Sequence, residues 1–139
     1  MKNKFSNSWI GSRQARKQRK YRENAPLHIK EKMMGANLSK ELRKKYKKRN
    51  IPVRKGDEVK ILRGKFKKKT GKISLVNLKK QKVAIEGIQN KKKDGTKINV
   101  YFDASNLQIK SLNEDDKKRI KSLSRNIQEK PKQIKQKSN

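Results

Sequence analysis

The sequence has no cysteine, one histidine, three prolines, few aromatic residues (5%) and only 12 acidic side chains against 43 lysines and arginines. Each shortage excludes something. Without cysteine there is no disulfide framework and no zinc-finger cluster. The lone histidine, His28, has no neighbouring cysteine or carboxylate pair for a metal site, and no serine or cysteine beside it for a nucleophile–base pair. The adjacent acids Asp57–Glu58 and Glu114–Asp115–Asp116 read as strand-edge and helix-cap residues, so the chain is not read as an enzyme and no cofactor or metal is expected. No apolar run is long enough to span a membrane, and the first residues lack the apolar segment of a secretory signal. The expectation is a cytoplasmic protein.

What is abundant is positive charge. The net charge of +31 over 139 residues opposes compaction by self-repulsion and implies a polyanionic partner. Apolar content of 29% supports a thin core, hence one small domain with extensions.

The core is read from residues 53–88. Val59 and Ile61, Ile73 and Leu75, and Val83 and Ile85 each alternate with polar neighbours, or with Leu62 and Ala84, at a period of two. Glycines and charged loops bound them, as they bound half-buried strands. Ile98, Val100 and Phe102 predict a fourth strand after the turn NKKKDG, and Leu107 with Ile109 a short fifth. Five strands in so short a span predict a mainly β fold with helical extensions, built on a small antiparallel barrel of the SH3-like type. Division follows as a basic arm with two short helices over 1–52, a barrel over 53–110, and a helix with a tail over 111–139.

The flanks read as helices and tails. Residues 1–22 are too polar to bury themselves, and Arg13, Arg16, Arg19 and Arg22 would form a row if a helix formed on a polyanion. Trp9 and Tyr21 in this stretch are expected to be covered by a base or by a partner's surface. A helix is predicted over 24–35, with Pro26 in its first turn and Gly35 just past its end. Ser39 is expected to cap a second helix over 39–49, with Leu38, Leu42 and Tyr46 as its apolar stripe. Beyond the barrel, Asn113 is expected to cap a helix carrying Ile120, Leu123 and Ile127, ended by Pro131.

Val53, Gly56, Asp57, Val59, Ile61, Gly64, Thr70, Gly71, Lys72 and Ile73 together resemble the KOW motif of ribosomal proteins and transcription elongation factors. Taken with RQARKQRK, NAPLH, LSKELRKKY and the closing S-N-L-Q-I at Ser105–Ile109, they resemble the archaeal and eukaryotic branch of the large-subunit ribosomal protein twenty-four family. The resemblance implies a constituent of the large subunit that binds ribosomal RNA near its 5′ end early in assembly and lies near the exit of the nascent-chain tunnel. It implies neighbouring ribosomal proteins as partners, and neither a membrane nor a second copy of itself.

The expected RNA-binding residues are Arg13, Arg16, Lys17, Arg19, Lys20, Arg22, His28, Arg43, Lys44, Lys47, Arg54, Arg63, Lys65, Phe66, Lys67, Lys68, Lys69, Ser105 and Asn106. Arginine forks and lysines suit phosphates, while Phe66 either stacks on a base or ribose or anchors its loop. Where the family has glycine in that loop this chain has Lys68, which predicts a different backbone course there. Two alternatives are weighed against this reading. A KOW transcription factor needs a neighbouring domain for which the chain has no room, and a DNA-compacting protein needs helix dominance or a dimerisation face.

Overall fold

The computed structural model describes residues 4–113 and 115–128. Its centre is a seven-stranded sheet in the order β2-β1-β7-β3-β4-β5-β6. The strands are β1 (Gly35–Leu38), β2 (Asn50–Pro52), β3 (Glu58–Ile61), β4 (Thr70–Asn77), β5 (Lys82–Lys91), β6 (Lys97–Phe102) and β7 (Leu107–Ser111). Four helices flank it: α1 (Ala15–Asn24), α2 (Leu27–Met33), α3 (Lys40–Tyr46) and α4 (Lys117–Gln128). The fold is mainly β with helical extensions.

All five strands expected from alternation are present, with β1 and β2 in addition. The pairs are antiparallel except β1 with β7, which run parallel through Asn37↔Gln108 and Leu38↔Ile109. Leu38 therefore belongs to a strand rather than to the helix stripe. Ser39 caps α3 as expected, its hydroxyl accepting the Leu42 N–H, and the helix stops at Lys47 in the left-handed region. Tyr46 is buried in the core and Leu42 packs against it.

Val59, Ile61, Ile73, Val83, Ile85, Leu107 and Ile109 form the centre of the core, each no more than 1% exposed. Period-two reading fails at β4. Between Ile73 and Leu75 the register with β5 slips by one residue, from Ile73↔Ile85 to Leu75↔Ala84. A bulge of this kind reverses side-chain parity, so Leu75 faces out at 46% exposure while Val76 packs on the core. Across from it Ala84, expected outward, is buried. The β5–β6 ladder continues past the core to Lys91↔Lys97, which leaves Ile98 exposed.

At the C-terminal side Asp116, not Asn113, caps α4, its carboxylate accepting the Arg119 N–H. Asn113 instead closes a small turn by accepting from the Asp115 N–H. Arg119 is buried and forks onto Asp57, which no solvent reaches. Leu123, one turn further on, joins the core. Glu114, the Ile127 side chain, Pro131 and the tail over 131–139 lie outside the described residues.

Candidate nucleic-acid interface

The expected cations fall into three groups set by the elements that carry them. The first gathers at one end of the sheet. Ile61 at the close of β3 pairs with Leu107 at the start of β7, so the loop after β3 and the turn before β7 share that end. The Leu62 N–H donates to the Asn106 carbonyl at 2.9 Å and joins them. Arg63, Lys65, Lys67, Lys68 and Lys69 in the loop, and Ser105 in the turn, are all exposed there. Asn106 is half-buried, and its backbone does the bracing.

The loop is held rigidly. Its base is closed by the Lys68 N–H donating to the Ile61 carbonyl and the Ile61 N–H to the Lys69 carbonyl, each at 2.9 Å. Lys68 sits at φ +73, so the loop keeps the left-handed turn that glycine would favour, and the different course expected from the sequence is corrected. The two hydrogen bonds over-determine the backbone, and the lysine takes the strain. Gly64, at φ +87, makes the other left-handed turn. Gly71 serves by close approach instead: a β-carbon there would lie 2.8 Å from Ile85 Cγ2 and 3.1 Å from the Glu86 carbonyl oxygen.

Phe66 is half-buried against Phe102, edge to face with ring centroids 6.1 Å apart, and Lys69 Nζ lies 5.4 Å from its centroid. Of the two roles expected for Phe66, the packing is that of an anchor. It pulls the loop onto the sheet and leaves the flanking lysines outermost.

The second group lies on the N-terminal segment. A short 3-10 turn, Asn7–Gly11, precedes α1, and the Gln18 amide donates to the carbonyls of Ser12 (2.6 Å) and Ile10 (3.1 Å) to fasten it. Arg16, Lys17, Arg19, Lys20 and Arg22 on α1 are exposed, as is Arg13 ahead of it. Tyr21 is 4% exposed and stacks on Phe5 at 5.0 Å, so the chain itself covers it and no outside surface is needed. Trp9 lines a cavity of about 320 Å³ with Arg16, Lys17 and Lys20. Arg22 and Ser105, from distant parts of the sequence, line one cleft of about 490 Å³.

The third group is scattered. His28 on α2 and Lys44 and Lys47 at α3 are exposed. Arg43 is half-buried, and its Nε has no hydrogen-bond partner among the described residues. Arg54 faces Asp116 and Glu31 in ion pairs, so its charge is largely met within the chain. Lys48 and Lys118, which the sequence did not single out, line a cavity of about 300 Å³ with Arg54 and Glu31. They come from segments some seventy positions apart, and no local pattern marks them.

A family model that describes the eukaryotic L26 and archaeal L24 ribosomal proteins matches residues 12–126. The chain belongs to this family. A relative from Methanothrix thermoacetophila, the large ribosomal subunit protein uL24, is 46% identical over 114 residues, which cover 82% of this chain and 98% of the relative. The family match runs beyond β7 into α4 and so includes Arg119 as well as the sheet. Membership in a family of structural ribosomal proteins makes the chain a ribosomal protein and not an enzyme, and it sets aside the elongation-factor and DNA-compacting alternatives.

Proposed function

We propose that the chain is a structural constituent of the large ribosomal subunit and that it binds that subunit's RNA chiefly through phosphates. The observation that carries the RNA contact is the cation cluster at one end of the sheet. A loop bearing Arg63, Lys65, Lys67, Lys68 and Lys69, and no acid, is braced on Phe102 and on the Asn106 carbonyl. A braced loop loses little conformational freedom on binding, so its cations act as a fixed surface.

In this reading the strand region over 53–110 fixes position, and the basic segment over 1–52 supplies further cations to the RNA. Neutralisation by both lets RNA segments approach that would otherwise repel, with phosphate contacts outnumbering base-specific ones. The charge of +31 disfavours self-association, so the protein acts as a single copy among neighbouring ribosomal proteins, in the ribosome and hence in the cytoplasm. The family resemblance further suggests binding near the 5′ end of the RNA early in assembly, with a final place near the tunnel exit.

Two measurements test this. The protein should cosediment with large subunits in sucrose gradients. Its affinity for ribosomal RNA should fall with salt at roughly 0.7–0.9 log units per phosphate neutralised for each log unit of salt. A log–log slope shallower than about −3 sinks the electrostatic mechanism.

A further inference from the structure

Trp9 is the only tryptophan of the chain and stands in one of its most basic segments. It is half-buried rather than packed away, and the turn that carries it is fastened at both ends. The Ser6 hydroxyl accepts from the Ser8 N–H at the start of that turn, and the Ser12 N–H donates to the Trp9 carbonyl at its end. Gln18 reaches back from α1 to three carbonyls, those of Trp9, Ile10 and Ser12. The turn is thereby fixed beside α1, and Trp9 lines one cleft with Arg16, Lys17 and Lys20, which sit at spacings of three and four on that helix.

The half-open cleft beside the ring measures about 320 Å³ and has an aromatic wall, a cationic rim and, among the described residues, no acid in its lining. Among the described residues no ring stacks on Trp9 and no cation lies over it. Ligand cavities run from about 300 to 1,000 Å³. A cavity at the lower limit takes one planar group, not a helical groove. An aromatic face meets any nucleobase by stacking, whatever its hydrogen-bond pattern, and the flanking cations meet the phosphates on either side. A paired base cannot enter, because both of its faces are already stacked in the duplex.

We propose that the Trp9 cavity is a binding site for one unpaired, unstacked RNA base, with Arg16, Lys17 and Lys20 on its flanking phosphates. The proposal rests on the RNA-binding reading and deepens it by naming a single-stranded element as the ligand. Gln18 is a positioning residue, since it touches only the turn.

A single tryptophan makes the test direct, because selectively excited emission reports on this site alone. The full chain is titrated with a short single-stranded oligoadenylate, and separately with a fully paired RNA duplex of equal phosphate number. Fluorescence anisotropy of the labelled RNA follows binding of each. The oligoadenylate should quench Trp9 emission saturably, while the duplex binds with Trp9 emission unchanged. Trp9→Ala should weaken oligoadenylate binding at least about fivefold with the salt slope intact. Trp9→Phe, which keeps an aromatic face and the fold, should retain most of the affinity, and Gln18→Ala should fall between. If both RNAs bind and Trp9 emission moves with neither, or if Trp9→Ala binds as tightly as the parent, the base site is wrong while the RNA-binding reading stands. If neither RNA binds, both fall together.

Discussion

Replacing Arg119 with methionine should cost this protein a large share of its stability, although residue 119 lies outside the strands. The Arg119 side chain is 6% exposed and Asp57 is 0% exposed. Its Nη1 donates to Asp57 Oδ1 at 2.7 Å, and its Nη2 to Asp57 Oδ2 at 2.8 Å and to the Pro52 carbonyl at 3.0 Å. The remaining capacity of the carboxylate is taken by the Arg54 N–H at 2.9 Å and the Asn113 N–H at 3.0 Å. One buried carboxylate thus ties the turn before β3, the segment after β7 and α4 together.

Methionine fills the space of the arginine stem but leaves the carboxylate buried with two amide donors and no cation. Removing one partner of a buried pair typically costs about 3–5 kcal/mol. Domains are stable by only about 5–15 kcal/mol, so the midpoint in urea should fall steeply. Urea unfolding followed by far-UV circular dichroism gives the global value. Amide exchange over Lys117–Ser124, compared with β3 and β7, separates undocking of α4 from loss of the sheet. Asp57→Asn combined with Arg119→Met removes both charges and keeps an acceptor for one of the two amides, so the double variant should be more stable than Arg119→Met alone. Lysine at 119 should fall between, since an ammonium cannot supply the planar fork. A loss below about 1 kcal/mol in Arg119→Met, or strict additivity of the two substitutions, would refute the reasoning.

Three further outcomes follow from the loop and its base. Lys68→Gly should raise stability by up to about 1 kcal/mol, because glycine relieves roughly 1–2 kcal/mol of left-handed strain and loses part of that to its freer unfolded chain; a lowered urea midpoint contradicts the strained-lysine account. Gly71→Ala should destabilise by about 1–3 kcal/mol through overpacking, since its β-carbon would press on Ile85 and on backbone at Glu86; an unchanged thermal midpoint means the strands can part there. Neutralising Lys67, Lys68 and Lys69 together to glutamine should reduce the salt slope of RNA binding by roughly two to three and change stability by no more than about 1 kcal/mol; wild-type affinity and slope in that variant return the loop to a solvated hairpin tip.

The strands legible in the sequence were those whose burial alternates with the pleat over several residues. Val59 and Ile61, or Leu107 and Ile109, are read without a structure because each inward residue is aliphatic and each outward one polar. The strand β1 was hidden although it follows the same rule. Ala36 and Leu38 are both fully buried, but with four residues, one of them glycine and one asparagine, the pattern is too short to separate from a helix cap. Its neighbour β2 is three residues ending in proline, and only its pairing with β1 makes it a strand. Both are tertiary consequences. Leu38 and Ile51 complete a core whose other side is set by β7, and local propensity has little say in segments that short. Leu75 failed for a different reason. A single-residue slip against β5 is decided by the partner strand, and one chain's alternation carries no mark of it.

The same distinction runs through the interface. Charge was legible in composition, and the loop lysines could be picked out because glycines bracket a short stretch with four lysines and no acid. What composition cannot separate is a cation that faces solvent from one already spoken for. Arg54 and Arg119 look like any other basic residue, yet each is neutralised by an acid brought to it by folding: Asp116 and Glu31 in one case, Asp57 in the other. Acids in so basic a chain are scarce, with 12 for the whole molecule. Wherever one is buried or doubly contacted, it identifies a cation that serves the fold. Subtracting those pairs leaves the exposed residues of α1, α3 and the loop after β3 as the field that a polyanion meets. On that argument Arg54→Gln should lower RNA affinity less than Lys67→Gln, although arginine is intrinsically the better phosphate ligand. Equal or reversed losses in a filter-binding comparison at matched salt would show that the ion pairs of Arg54 open when RNA arrives.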